Sequence, residues 1–283
     1  MPWFRLARNL GVAGVVLGAS ACVDNLTPAP LAAYDAGGPS VGSCVPNLDG
    51  RIDAHELQAA IGIPAGFRVS AKGAARKVDI AGGIDSQGHR TWDWSASAAS
   101  DQQAAFTAVL PAKRWYAQQF ATGQFAVAMD AGGAVEAVYR QDQEALWLLG
   151  IASTDPAPAS GKTLLVYTQP VALYRFPLQA GGQWTSVGKI QGGVLYGLPY
   201  AGTDTYVTQV DGAGVLELPD LTLTQAHRVR TAVTVVPIVG KATSRKQVSF
   251  LFECLGEVAR ATSQPDEKEA DFTTAAEVRR LAL

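Results

Sequence analysis

The stretch "GQFAVAMDAGGAVEAVYRQDQEALWLLGIAS", Gly123–Ser153, holds three apolar runs separated by Asp130-Ala131-Gly132-Gly133 and Gln141-Asp142-Gln143. Each run is too short for a packed helix, and the separators are turn chemistry, so the spacing predicts an antiparallel meander. In the middle run Val135, Ala137 and Tyr139 alternate with Glu136 and Arg140, which predicts one solvated face. Leu146–Ile151 does not alternate, which predicts a strand covered on both faces.

The same reading extends outward. "DTYVTQVDGAGVLELP" (Asp204–Pro219) reads as two strands joined at Asp211-Gly212, with Gly214 bulging the turn. "RVRTAVTVV" (Arg228–Val236) alternates, and "QVSFLFECLGEVARATS" (Gln247–Ser263) puts Val248, Phe250 and Phe252 on one face before a kink at Gly256. Helix is expected only at Asp53–Ile61, at Pro111–Phe120 and in the tail. The fold class expected is mainly β: an antiparallel curved sheet or half-barrel of roughly nine to twelve strands with a few short helices. The β-rich domain is expected over 44–263. A polar break at "QPDEKEAD" follows, and 264–283 ends in a short helix over Ala275–Leu281, capped by Thr273 or Thr274.

The N-terminus reads as an export signal. Arg5 and Arg8 give a positive start, Leu10–Leu17 a short apolar run, and Ala19-Ser20-Ala21 a small-residue cleavage site. The run is too short to span a bilayer. Cleavage after Ala21 leaves Cys22 first, which resembles a bacterial lipoprotein signal, although that family prefers Leu where this chain has Ala19. The resemblance implies that 1–21 is a signal peptide, that Cys22 carries lipid, and that 22–43, rich in Pro, Gly and Ala, is a flexible tether. Val23 follows the cysteine, so the Asp that retains such proteins at the inner membrane is absent, which favours the outer membrane. Without lipid the chain would be secreted.

Three cysteines are present, Cys22, Cys44 and Cys254. Lipid on Cys22 leaves an even pair in an oxidising compartment, so a Cys44–Cys254 disulfide is expected. It would close about 210 residues, for roughly 4–5 kcal/mol by chain entropy. The alternative is two free thiols. Removing Arg5 and Arg8 leaves 21 basic against 25 acidic residues. No basic stripe is present, so nucleic acid is not an expected partner.

"FPLQAGGQW" (Phe176–Trp184), Asp204–Pro219, "HRVRT" (His227–Thr231) and "FECLGEVARATS" (Phe252–Ser263) occur in an order that resembles uncharacterised exported bacterial lipoproteins common in myxobacteria. The similarity covers about residues 104 to 263 and is silent on activity. In architecture alone the pattern is also similar to LolA and LolB, whose half-barrels cradle acyl chains. Trp115, Trp147 and Trp184 are expected to fill the concave face of the sheet, or alternatively to line a cavity for an apolar ligand.

One constellation carries chemistry. In "VPNLDGRIDAHEL" (Val45–Leu57), Asn47, Asp49, Arg51 (through its carbonyl), Asp53 and Glu56 match the third, fifth, seventh, ninth and twelfth positions of a calcium-binding EF-hand loop, with Gly50 at the sixth. The first ligand is Val45, and no entering helix precedes it. The competing reading is a capping box, with Asp53 at the N-cap and Glu56 as its partner. His55, His89 and His227 lack zinc spacing, "ASGKT" (Ala159–Thr163) lacks the first glycine of a phosphate loop, and Trp92 and Trp94 share a strand face.

These readings predict a lipid-anchored cell-envelope protein with a non-enzymatic binding or scaffold role. Its expected partners are the membrane, through the lipid, and an envelope protein. The alternatives are a carrier or sensor of an apolar ligand in a half-barrel, and a hydrolase with unrecognised residues. No cofactor is expected beyond calcium at the Asn47–Glu56 loop.

Overall fold

A computed structural model of the chain describes residues 44–71 and 73–283. The signal, Cys22 and the tether lie outside the described residues. The first strands are short: β1 (Arg51–Ile52), β2 (Pro64–Val69), β3 (Arg76–Lys77), β4 (Gly83–Ile84), β5 (Arg90–Asp93) and β6 (Gln102–Thr107). The meander follows as β7 (Phe125–Ala128), β8 (Val135–Gln141) and β9 (Ala145–Ser153). Then come β10 (Leu164–Arg175), β11 (Leu178–Gln179), β12 (Gln183–Leu195), β13 (Leu198–Glu217) and β14 (Thr222–Pro237). The chain ends with β15 (Thr243–Phe252), β16 (Gly256–Ser263) and β17 (Thr274–Leu281).

The fold is mainly β, as the alternation predicts. The principal sheet runs β6-β2-β17-β16-β15-β14-β13-β12-β10-β9-β8-β7, and neighbours on this path are antiparallel. Its two edges meet. Val109, just beyond β6, exchanges both backbone hydrogen bonds with Ala126 of β7, each 2.9 Å. The sheet is therefore nearly closed into a barrel, its two edges joined at this bridge.

Strand register divides side chains between two faces. Leu251, Val229 and Val210 lie on the inner face and pack with Leu146, Phe125 and Ile52. Val248 and Phe250 point outward, where 71–101 covers them: Trp92 and Trp94 both meet Phe250 edge-on, at 4.8 and 5.0 Å. A second outer layer is the 110–121 segment, whose Tyr116 and Phe120 cover Val138, Leu149 and Ala152. β9 is thus covered on both faces, which its unbroken apolar run required.

Several expectations are corrected. The tail is not a helix. Thr274–Leu281 is β17, inserted between β16 and β2, so the domain continues to the C-terminus rather than ending near Ser263. Its Ala, Glu and Arg favour helix, but strand neighbours on both sides override local propensity. The helices expected at Asp53–Ile61 and Pro111–Phe120 are short 3-10 turns, Ala54–Leu57, Pro111–Lys113 and Ala117–Phe120. Asp211-Gly212 is not a turn, because β13 runs through it with register shifts on either side. The overhang of β13 beyond β12 pairs in parallel with β5, and Gly214 makes room: a Cβ there would lie 2.3 Å from the Arg90 carbonyl oxygen. Glu136 is buried rather than solvated, accepting hydrogen bonds from Arg114 and the Tyr116 hydroxyl. Trp115 and Trp147 belong to the outer layer. Of the three tryptophans expected inside, Trp184 packs with the inner cluster.

Candidate functional site

Loop 44–57 plugs the end of the barrel at which β15 turns into β16. Cys44 and Cys254 sit at disulfide distance, their Cα atoms 5.5 Å apart. Cys254 lies in that turn, with φ +65°, and not in the final strand. The Glu253 carboxylate accepts the backbone N–H groups of Asn47 (2.6 Å) and Leu48 (2.9 Å), and the Cys254 N–H donates to the Glu56 carbonyl at 2.7 Å. β1 pairs with β11, and Ile52, fully buried, inserts among Leu178, Val210 and Leu251.

The five residues read as a calcium loop are all here, but their oxygens are engaged by N–H donors of the loop itself. Glu56 Oε1 accepts from Asn47 Nδ2 (2.9 Å), and Glu56 Oε2 from the Asp53 N–H (2.8 Å). Asn47 Oδ1 accepts from the Asp49 N–H, and Asp49 Oδ1 from the Arg51 N–H. The Arg51 guanidinium lies 3.3 Å from both Asp49 and Asp53. Among the described residues no group of three or more His, Cys, Asp or Glu is placed to hold a metal ion. The capping-box reading describes Asp53 and Glu56, and the loop acts as a plug. Beneath it His227 is fully buried with both ring nitrogens unpartnered, and Glu253 Oε1 is likewise unpaired. Burial holds the His227 imidazole below its usual range, against the pull of Glu253 and Asp49, so it is neutral.

Sequence reading missed the polar residues inside the barrel. Arg260 of β16 and Arg279 of β17 stand directly opposite each other, an arrangement that destabilises unless compensated. Glu277 binds Arg279 through Nη2 (2.7 Å) and Nε (3.0 Å), and Glu257 lies 3.5 Å from Arg260 Nε while accepting the Ser249 hydroxyl at 2.8 Å. Both guanidinium groups reach across to the Met129 carbonyl beyond β7, and Arg279 stacks 4.5 Å over Phe106. Burial lowers the Arg279 pKa. Arg260 is held above its ordinary value despite burial, because Glu257 and Glu277 face it. Burial also pushes the Tyr139 and Tyr174 hydroxyls up, so they stay neutral. The available signal was polar residues recurring at period two on the inward face of β16 and β17.

The opposite end of the barrel is different in character. The β12–β13 and β14–β15 turns lie there, and the Ile238 N–H bonds back to the Ala201 carbonyl of β13 at 2.9 Å. They expose Tyr196, Leu198, Val236, Ile238 and Val239, the last two 78% and 89% exposed. Apolar residues scattered singly are ordinary on a surface, but five exposed ones gather at this end of the barrel. No family model, no curated protein and no solved structure matches this chain.

Proposed function

We propose that this chain is a lipid-anchored cell-envelope protein whose barrel serves as a non-enzymatic binding or scaffold module. The observation that carries the reading is the apolar tip. It stands at the end of the barrel opposite Cys44, where the tether from Cys22 joins the domain. A domain held by lipid at one end and presenting Leu198, Ile238 and Val239 at the other is arranged to engage a second envelope protein. The latched plug supports the same reading, since it closes the tether end with buried backbone hydrogen bonds rather than leaving a mouth for substrate. A carrier of acyl chains fits less well: an apolar chain in the lumen would lie against Arg260, Glu257, Glu277 and Arg279 and strip them of water. A hydrolase also fits less well, because among the described residues no Ser, Thr or Cys is hydrogen-bonded to His55, His89 or His227.

Two measurements test the proposal. A palmitate analogue should label the wild type and not Cys22→Ser; an unlabelled, freely soluble wild type defeats the anchor. A photo-crosslinking residue at Ile238 should form adducts with a discrete envelope protein in cells, and the adducts should disappear when Leu198 and Val239 are both changed to Asp. Adducts with lipid alone, or none, defeat the binding role at the tip.

A further inference from the structure

Asp204 lies inside the barrel, toward the tip end, and one of its oxygens has no partner. On β13 the inward positions run Tyr200, Gly202, Asp204, Tyr206. Asp204 is 6% exposed. Its Oδ2 accepts the Tyr167 hydroxyl at 2.6 Å, and that hydroxyl lies 3.1 Å from the Tyr206 hydroxyl. Its Oδ1 is buried and unpaired. Two glycines let the rings converge. Gly188, opposite Asp204 on β12, carries the Tyr167 ring so closely that a Cβ would lie 2.4 Å from it. Gly202 brings the Tyr200 hydroxyl within 2.9 Å of where its own Cβ would stand. A carboxylate ringed by three tyrosines is therefore built into the backbone, not left over from packing.

Neither protonation state satisfies Asp204 within the protein. A charged carboxylate leaves Oδ1 without a donor, and a neutral acid with its proton on Oδ2 toward Tyr167 leaves Oδ1 a carbonyl oxygen that is still unpaired. Among the described residues no Lys or Arg pairs with it. A cation completes it. An ammonium group would meet Oδ1 with its charge, the Tyr200 hydroxyl oxygen with an N–H where it carries one, and the ring faces through cation–π attraction. Tyr200 and Tyr206 keep partial exposure.

We propose that Asp204, Tyr167, Tyr200 and Tyr206 form a binding site for an organic ammonium group. The site is separate from the tip surface and from the lipid anchor, and stands or falls without them. Free amines and amine-bearing lipid headgroups share this chemistry. Burial holds the Asp204 carboxyl above its ordinary range, with Tyr167 on β10 pulling the other way. The groups facing it are Tyr167, Tyr200 and Tyr206, while β12 and β14 present Gly188 and Val235. Binding should therefore strengthen as pH rises through that raised value, because the cation selects the carboxylate.

The test uses the purified full-length mature chain and calorimetric titration with tetramethylammonium, choline, ethanolamine and monomeric lyso-phosphatidylethanolamine, with sodium as the charge control. At least one ammonium probe should bind saturably. Asp204→Asn and Tyr200→Ala should each weaken it by about tenfold or more, while Tyr206→Phe, which keeps the ring, should change it by less than about threefold. Tighter binding of the lyso-lipid than of ethanolamine assigns the source as a headgroup; equal binding assigns it as a free amine. Absence of saturable binding by the folded wild type to every ammonium probe overturns the proposal. So does Asp204→Asn binding as tightly as wild type, with an unchanged circular dichroism spectrum.

Discussion

Reducing the Cys44–Cys254 pair should lower stability without moving the plug. The two cysteines are 210 residues apart, so their bond closes most of the domain into one loop in the unfolded state. Loop-closure entropy sets its contribution at about 5 kcal/mol, and native disulfides generally return about 2–5. At about 2–4 °C per kcal/mol for a domain of this size, the melting temperature should fall by about 4–20 °C. The plug itself should stay seated. Ile52 remains buried, Glu253 still accepts Asn47 and Leu48, and the Cys254 N–H still donates to Glu56. Melts followed by far-UV circular dichroism, with and without phosphine reductant, measure the shift. The near-UV spectrum at 20 °C, which reports tertiary packing, should not change. Cys44→Ser should melt where reduced wild type does and ignore reductant. Cys254→Gly should melt slightly above Cys254→Ser, by about 1 kcal/mol, because residue 254 holds φ +65°, which glycine adopts freely. An unchanged melting temperature with both thiols shown free by labelling refutes this account of the latch.

Gly214→Ala should cost about 2–3 kcal/mol, since its methyl group meets the Arg90 carbonyl oxygen at 2.3 Å and the Trp92 ring at 2.9 Å. Displaced β5 should red-shift the Trp92 fluorescence; a wild-type spectrum and melt would show that β5 does not depend on this approach. His227, held by burial below the ordinary histidine value of about 6.5, should make the protein acid-sensitive. The unfolded chain binds the proton more readily than the fold, so stability present above about pH 6.5 is lost as pH falls toward the depressed folded value, at no more than about 1.4 kcal/mol per pH unit. His227→Leu should flatten that part of the stability–pH curve, and an equally steep curve in the variant would assign the acid sensitivity elsewhere.

Alternation and turn chemistry alone determined the class of this fold. The Gly123–Ser153 meander, the shared face of Val248, Phe250 and Phe252 and the double coverage of β9 all follow from which residues are apolar and at what period. The Cys44–Cys254 pair was also legible, because odd-cysteine counting needs no coordinates. Closure of the sheet was not legible. It depends on Val109 meeting Ala126 where the two ends of the strand order come together, a contact with no signature in the period of either segment. For the same reason Thr274–Leu281 became a strand: its own residues favour helix, and only the vacant position between β2 and β16 decides otherwise. The Asn47–Glu56 loop kept its turn but lost its ligands, because Arg51 and the backbone N–H groups reached the carboxylates first. Asp204 and its three tyrosines were invisible in sequence because period two shows which residues share a face but not which face is inside. Strand order settles that, and strand order is set by hydrogen bonds between segments far apart in the chain.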